Sequence, residues 1–119
     1  MEKANRYKDL EIWKQGIQIV SRVYSLIKRF PSEEKFGLVS QMQRAAVSIP
    51  ANIAEGFARR YAKEFKRFCL IALGSCSELE TLVFIAQEQG FMDSAEKELL
   101  EEMLDKESKM IMSLTKKLG

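Results

Sequence analysis

The sequence predicts an all-α protein, an antiparallel up-down-up-down four-helix bundle with a proline-kinked second helix. Three observations lead there. Only two prolines and six glycines interrupt 119 residues rich in Ala, Leu, Ile, Glu, Lys and Met, a composition that favours helix over sheet. Apolar residues recur at spacings of three and four through four successive segments. The breaks between segments are short, so consecutive helices are expected to pack side by side. A chain of this length forms one domain and buries roughly two thirds of the surface its unfolded form would expose. Residues 1–8 read as a polar N-terminal arm and residues 9–119 as the bundle.

The first helix is expected to open with Asp9 as N-cap and to run to Phe30, with Pro31 as the stop. It carries two adjacent apolar stripes: Leu10, Trp13, Ile17, Val20, Tyr24 and Ile27, and Ile12, Ile19, Val23, Leu26 and Phe30. One stripe suffices for a bundle core, so the second points to a subunit contact. Ser32 is expected to cap the second helix, with Glu33 and Glu34 in its first turn and Leu38, Met42, Ala45, Ile49, Ile53 and Phe57 on its apolar side. The third begins near Ala62 and runs through Phe65, Phe68, Cys69, Ala72, Cys76, Leu79, Val83 and Ala86 to a terminal glycine, Gly90. The fourth starts at a capping box, Asp93 with Glu96, and takes its apolar side from Leu99 or Leu100, Met103, Met110, Leu114 and Leu118.

Composition excludes much. Without histidine the chain lacks the commonest general base at neutral pH and the commonest transition-metal ligand, so most hydrolase and zinc readings fall and no metal or cofactor is expected. Cys69 and Cys76 lie seven residues apart in one helical pattern, about 10.5 Å along the axis, too far to bridge. They read as small buried hydrophobes in a reducing compartment. A charged N-terminus without an apolar run, and no stretch near the roughly 20 apolar residues of a membrane span, point to a cytoplasmic protein without membrane contact.

Charge is polarised along the chain. Residues 1–67 hold 14 Lys and Arg against 7 Asp and Glu, and residues 68–119 hold 5 against 10. This suits an acidic partner for the first half, or one face docking on the opposite face of a neighbouring subunit.

The segment QRAAVSIPANIAEG, Gln43 to Gly56, breaks local rules. Pro50 removes a backbone donor inside a helical pattern, while Asn52 and Glu55 set polar groups beside Ile49, Ile53 and Phe57. With FARR and EFKRFCLIALGSCSELE downstream, it resembles the bacterial four helix bundle protein family, encoded within intervening sequences of large-subunit ribosomal RNA genes. The resemblance rests on Arg44, Ala45, Ser48, Ile49, Asn52, Ile53, Ala54, Glu55 and Gly56, then Phe65, Phe68, Ala72, Gly74, Ser75 and Glu78, and on DLEIWKQG in the first helix. It implies an antiparallel bundle assembled as a ring-like homopentamer, without enzymatic activity and associated with RNA. A distant relative is the basic accessory protein of diversity-generating retroelements, from which this chain departs in its mild net charge and acidic fourth helix.

Arg59, Arg60, Lys63, Lys66 and Arg67 form the densest basic run, interleaved with Tyr61, Phe65 and Phe68. They suit a phosphate-contacting patch for RNA at one bundle end; the plainer reading is a solvated turn and helix start. Arg44, Ser48, Asn52, Glu55, Ser75 and Glu78 suit a structural polar network in which Asn52 and Glu55 satisfy backbone groups freed by Pro50 and Arg44 supplies an ion partner. Acid–base chemistry would instead require Glu55 and Glu78 to converge in a cleft between the second and third helices. Glu98, Glu101, Glu102, Asp105 and Glu107 read as a solvated face supported by Lys97, Lys106 and Lys109. The leading functional reading is a homo-oligomer that binds RNA or a ribonucleoprotein; the alternative is a scaffold recruiting another protein, such as a nucleic-acid-handling enzyme.

Overall fold

Four helices carry the chain: α1 (Glu11–Ile27), α2 (Leu38–Ala58), α3 (Ala62–Glu88) and α4 (Ser94–Lys117). The computed structural model describes residues 6–119. Consecutive helices pack against one another and α4 returns against α1, closing a four-helix bundle. The longest helix, at 1.5 Å per residue, accounts for most of the 44 Å long axis. The core is one continuous cluster that includes Ile19 and Val23 from α1, Met42, Ile49 and Ile53 from α2, Cys69, Cys76, Leu79 and Val83 from α3, and Leu100, Leu104 and Ile111 from α4, all fully buried.

Two helix starts differ from expectation. Asp9 does not cap α1, because Tyr7–Asp9 close a 3-10 turn of their own and Leu10 stands extended as the N-cap. Ser32 likewise lies in a separate 3-10 turn, Ser32–Glu34, and α2 begins only after Gly37. The carboxylate that reaches its first turn belongs to Glu34, whose Oε1 accepts from the Leu38 amide at 3.2 Å. α1 ends at Ile27, and tighter turns closed by the Arg29 and Phe30 amides carry the chain to Pro31. Of the arm expected over residues 1–8, residues 1–5 lie outside the described residues, whereas Tyr7 packs edge-on against Trp13.

Other local signals appear as read. α3 covers Ala62–Glu88 and is followed by Gly90 at φ +80°. Asp93 and Glu96 form a reciprocal capping box, and Glu96 also pairs with Arg29, which ties the end of α1 to the start of α4. Of the two α1 stripes, Ile12, Ile19, Val23, Leu26 and Phe30 are buried, whereas Trp13, Ile17 and Val20 are half-covered and Tyr24 is exposed. α2 runs unbroken through Pro50, which is itself buried.

α4 is rotated from its expected register. The buried row is Leu100, Leu104, Glu107, Ile111 and Thr115, and Met103, Met110, Leu114 and Leu118 flank it half-covered. Glu107 is therefore not part of the solvated acidic face; it is completely buried. α3 also corrects the absence of a membrane-length apolar stretch, since by length and composition it is long and apolar enough to cross one. Polar residues such as Ser75, Glu78, Glu80 and Gln87 keep every continuous apolar run short without lowering the average enough, and its fully buried residues face the bundle core.

Candidate nucleic-acid interface and polar seam

The basic run occupies the connection between α2 and α3. Gly56 allows the two helices to meet here, because a Cβ at that position would stand 2.5 Å from the Phe68 Cβ. Arg59 caps α2, and Arg60 follows at φ +68°, the left-handed position that helix ends usually give to glycine. For a residue with a Cβ this conformation costs on the order of 1 kcal/mol.

The five cations divide into two groups. The Arg59 guanidinium donates to Glu55 at 3.1 Å and lies 3.9 Å from Glu64, and Arg67 donates twice to Glu64, at 3.0 and 3.2 Å. Both guanidiniums also lie over the Phe68 ring, 5.2 and 4.5 Å from its centre. The hydrogen bond from Arg67 holds the Glu64 carboxyl below its usual range. Arg59 and Arg67 are thus tied to the protein's own surface. Arg60, Lys63 and Lys66 make no ion pair among the described residues. Phe65 and Phe68 are buried and Tyr61 is exposed.

The six polar residues of the helix 2 and helix 3 motifs also separate. Ser48 and Ser75 meet oxygen to oxygen at 2.8 Å across the α2–α3 seam, Asn52 Nδ2 donates to the Ser48 hydroxyl and carbonyl at 2.9 and 2.8 Å, and Ser75 donates to the Ile71 carbonyl at 3.3 Å. With Asn52 as a pure donor at one end and a carbonyl at the other, each hydroxyl donates once and accepts once. Neither Asn52 nor Glu55 reaches the Ala46 carbonyl that Pro50 leaves without its helical partner; Glu55 turns to Arg59 instead. Arg44 does not pair with Glu55 either. It lines, with Glu78, Ser48, Gln41 and Phe36, an open polar groove of about 570 Å³ between α2 and α3. Glu55 is absent from that lining, so the two carboxylates that acid–base chemistry would need are not brought together.

Sequence reasoning missed Glu107. Neither of its carboxylate oxygens has a hydrogen-bond partner, and burial pushes its pKa up to about 8 against a small opposing pull from Lys106. Gly16 of α1 provides its space: a Cβ there would lie 3.2 Å from Glu107 Oε2 and 3.3 Å from the Pro50 ring. Cys69 and Cys76 on α3 sense the same carboxyl, and burial first, Glu107 second, pushes both thiols up to about 12. The available signal was Ile111, which fits only the row containing Leu100, Leu104 and position 107.

A small all-α bundle with a basic inter-helix end and a half-buried serine–asparagine seam defines the class. Residues 8–113 match the profile of the 23S rRNA-intervening sequence protein family, and the chain belongs to that family. Among solved structures, a protein of unknown function from the S23 ribosomal protein family of Bacteroides thetaiotaomicron VPI-5482 shares the fold with a TM-score of 0.81. The two are 23% identical, and the match covers 88% of this chain and 98% of that one. No functionally curated protein matches the chain.

Proposed function

We propose that this protein is a non-enzymatic, cytoplasmic homo-oligomer, a pentamer as the family resemblance implies, that associates with RNA or a ribonucleoprotein through its α2–α3 end. The observation that carries the reading is the division of the basic run: among the described residues Arg60, Lys63 and Lys66 have no carboxylate partner, whereas Arg59 and Arg67 are paired with Glu55 and Glu64. Three such charges bind one phosphate run weakly. Several copies on one ring raise the effective concentration of the second and later contacts, so avidity supplies what one patch lacks. Reversing Arg60, Lys63 and Lys66 to glutamate is expected to abolish co-purifying RNA, read by native mass spectrometry, with the oligomer mass unchanged. Unchanged RNA retention would remove the patch from the mechanism.

A second reading has its own support. Leu70 with Ile71 and Phe84 with Ile85 are exposed on α3 as two apolar pairs about four turns apart, which suit a subunit contact or a recruited protein, with any nucleic acid held by that partner. Salt separates the readings, since counterion release gives a steep log–log loss of affinity for RNA and apolar docking does not.

A further inference from the structure

The fold brings a second basic element to the same end of the bundle. Arg6, Tyr7 and Lys8, far from the basic run in sequence, line one groove with Phe57, Ala58 and Arg60. Its volume is about 340 Å³, within the range, roughly 300–1,000 Å³, of sites that hold small organic ligands. The lining is chemically sorted. Tyr7 and Phe57 are half-buried and anchored edge-on, by Trp13 and Phe65 respectively, while Arg6, Lys8 and Arg60 are exposed around them. Of these cations only Arg6 has a carboxylate nearby, Asp9 at 3.9 Å, among the described residues.

The backbone supplies an independent observation. Arg60 stands at φ +68°, where glycine would sit without strain, and its neighbour Arg59 turns the other way to Phe68 and Glu55. The left-handed turn after α2 sets the Arg60 side chain on the groove with no partner among the described residues, which leaves its guanidinium available to a ligand. Cations around a half-buried aromatic floor fit an anion joined to a flat aromatic ring that can stack. A nucleotide has that composition, and its base is free to lie on an aromatic side chain only when the strand is unpaired.

We infer that the groove between the Arg6–Lys8 turn and Arg60 seats one nucleotide of single-stranded RNA, with Arg60 and Lys8 on its phosphate and its base against Tyr7 and Phe57. This rests on the RNA reading above and narrows it from a general basic end to a defined seat for an unpaired nucleotide.

The test uses the full chain and a fluorescein-labelled single-stranded RNA dodecamer, titrated by anisotropy at several salt concentrations, with Tm measured for each variant. Arg60→Gly is expected to weaken binding roughly tenfold and to lower the log–log salt slope by about one, while Tm stays level or rises. Lys8→Gln should lower the slope similarly, and Tyr7→Ser should weaken binding roughly tenfold with the slope unchanged. Arg60→Lys, with the same backbone cost and charge, should keep most of the affinity. If the wild-type chain binds and all three groove variants bind equally well, while Lys63→Glu with Lys66→Glu does not, the nucleotide seat is overturned and the basic end stands. A wild-type chain that does not bind the dodecamer overturns both. A fall in Tm for Arg60→Gly would show that the left-handed arginine supports the fold, and would remove the backbone argument.

Discussion

Replacing Glu107 tests the least expected feature of the core, and its magnitude follows from the structure. Its pKa is about 8 in the fold against 4.5 for the free side chain, and it faces Gly16 of α1, Pro50 of α2 and the Cys69 and Cys76 thiols of α3, with Lys106 beside it on α4. A carboxyl whose folded pKa is raised is protonated in the fold and ionised in the unfolded chain between those two values. Its contribution is complete below about pH 4.5 and is lost as pH rises to 8. The slope is about 1.4 kcal/mol per pH unit, so the loss reaches about 3 kcal/mol at pH 7 and levels off near 5 kcal/mol above pH 8. That is a large share of the roughly 5–15 kcal/mol that holds a small domain together. With no histidine in the chain, few other side chains titrate across this window. The assay is urea unfolding followed by circular dichroism at pH 5, 6, 7 and 8, at one fixed protein concentration. Glu107→Met has similar length and no charge; it is expected to exceed the wild type by about 1–3 kcal/mol at pH 5, where only an unpartnered neutral carboxyl is removed. The gap should widen by about 1.4 kcal/mol per unit to pH 8. Glu107→Gln should share the flat profile, since it keeps the polar atoms but cannot ionise. Parallel wild-type and Glu107→Met profiles would refute the argument.

Two glycines of the family-like motifs should respond in opposite directions. Gly56→Ala is expected to cost about 1–3 kcal/mol in urea unfolding, because its Cβ meets Phe68 backbone-proximal atoms at 2.5 Å; Gly74→Ala, with nothing within 4 Å, should stabilise the single chain by up to about 1 kcal/mol. If Gly74→Ala instead lowers the oligomer mass in solution, a neighbouring subunit approaches α3 at that point. Cys69 and Cys76, buried and pushed up to about 12, should resist a disulfide-exchange reagent at pH 8 in the native protein and react at once in urea; rapid native labelling would contradict their burial.

Legibility in the sequence followed the strength of local chemistry. The capping box at Asp93 was readable because two side chains and two amides satisfy one another within four residues. The α3 seam was readable because eight apolar positions keep one helical period along the whole helix, whereas Leu70, Ile71, Phe84 and Ile85 form only two isolated pairs beside it. Asp9 and Ser32 misled for a common reason: each is a good cap residue, but each sits in a short 3-10 turn that closes before the helix proper, at Leu10 just ahead of α1 and at Lys35 three residues ahead of α2. In α4 two rows one residue apart competed, and Met103, Met110, Leu114 and Leu118 outweighed Leu100, Leu104 and Ile111 only because the second row contains a glutamate. The basic end was legible as a cluster, but its division into neutralised and unpartnered cations was not. That division depends on Glu55 reaching Arg59 and on Glu64 facing back across the turn to Arg59 and Arg67.

The anomaly that the sequence displayed and the one it hid belong to the same place. Pro50 is irregular as a helix residue, and Glu107 is irregular as a core residue, yet both lie against the single point where Gly16 lacks a Cβ. A side chain on Gly16 would press on the proline ring and the carboxyl together, so the glycine is demanded by two neighbours from two different helices. The glycine of α1, the proline of α2 and the glutamate of α4 therefore converge on one point of the bundle interior, and α3 closes the fourth side with the small thiols of Cys69 and Cys76. An aliphatic residue at 107 would fill that junction without the pH-dependent penalty, and the wider α4 stripe would then have been read correctly. What singles out the glutamate is that it makes an interior level of the bundle sensitive to ionisation: charging Glu107 places an unpartnered charge among Gly16, Pro50, Cys69 and Cys76, whereas the capping box and the serine seam stay as they are. Loss of structure at alkaline pH should accordingly begin at the Gly16–Pro50–Glu107 level and not at the helix ends, which hydrogen exchange of the Ile53 and Ile111 amides, compared between pH 6 and pH 8 after correction for intrinsic rates, can decide. Protection that falls first at the ends of α1 and α4, with these two amides unchanged, would place the weak point elsewhere.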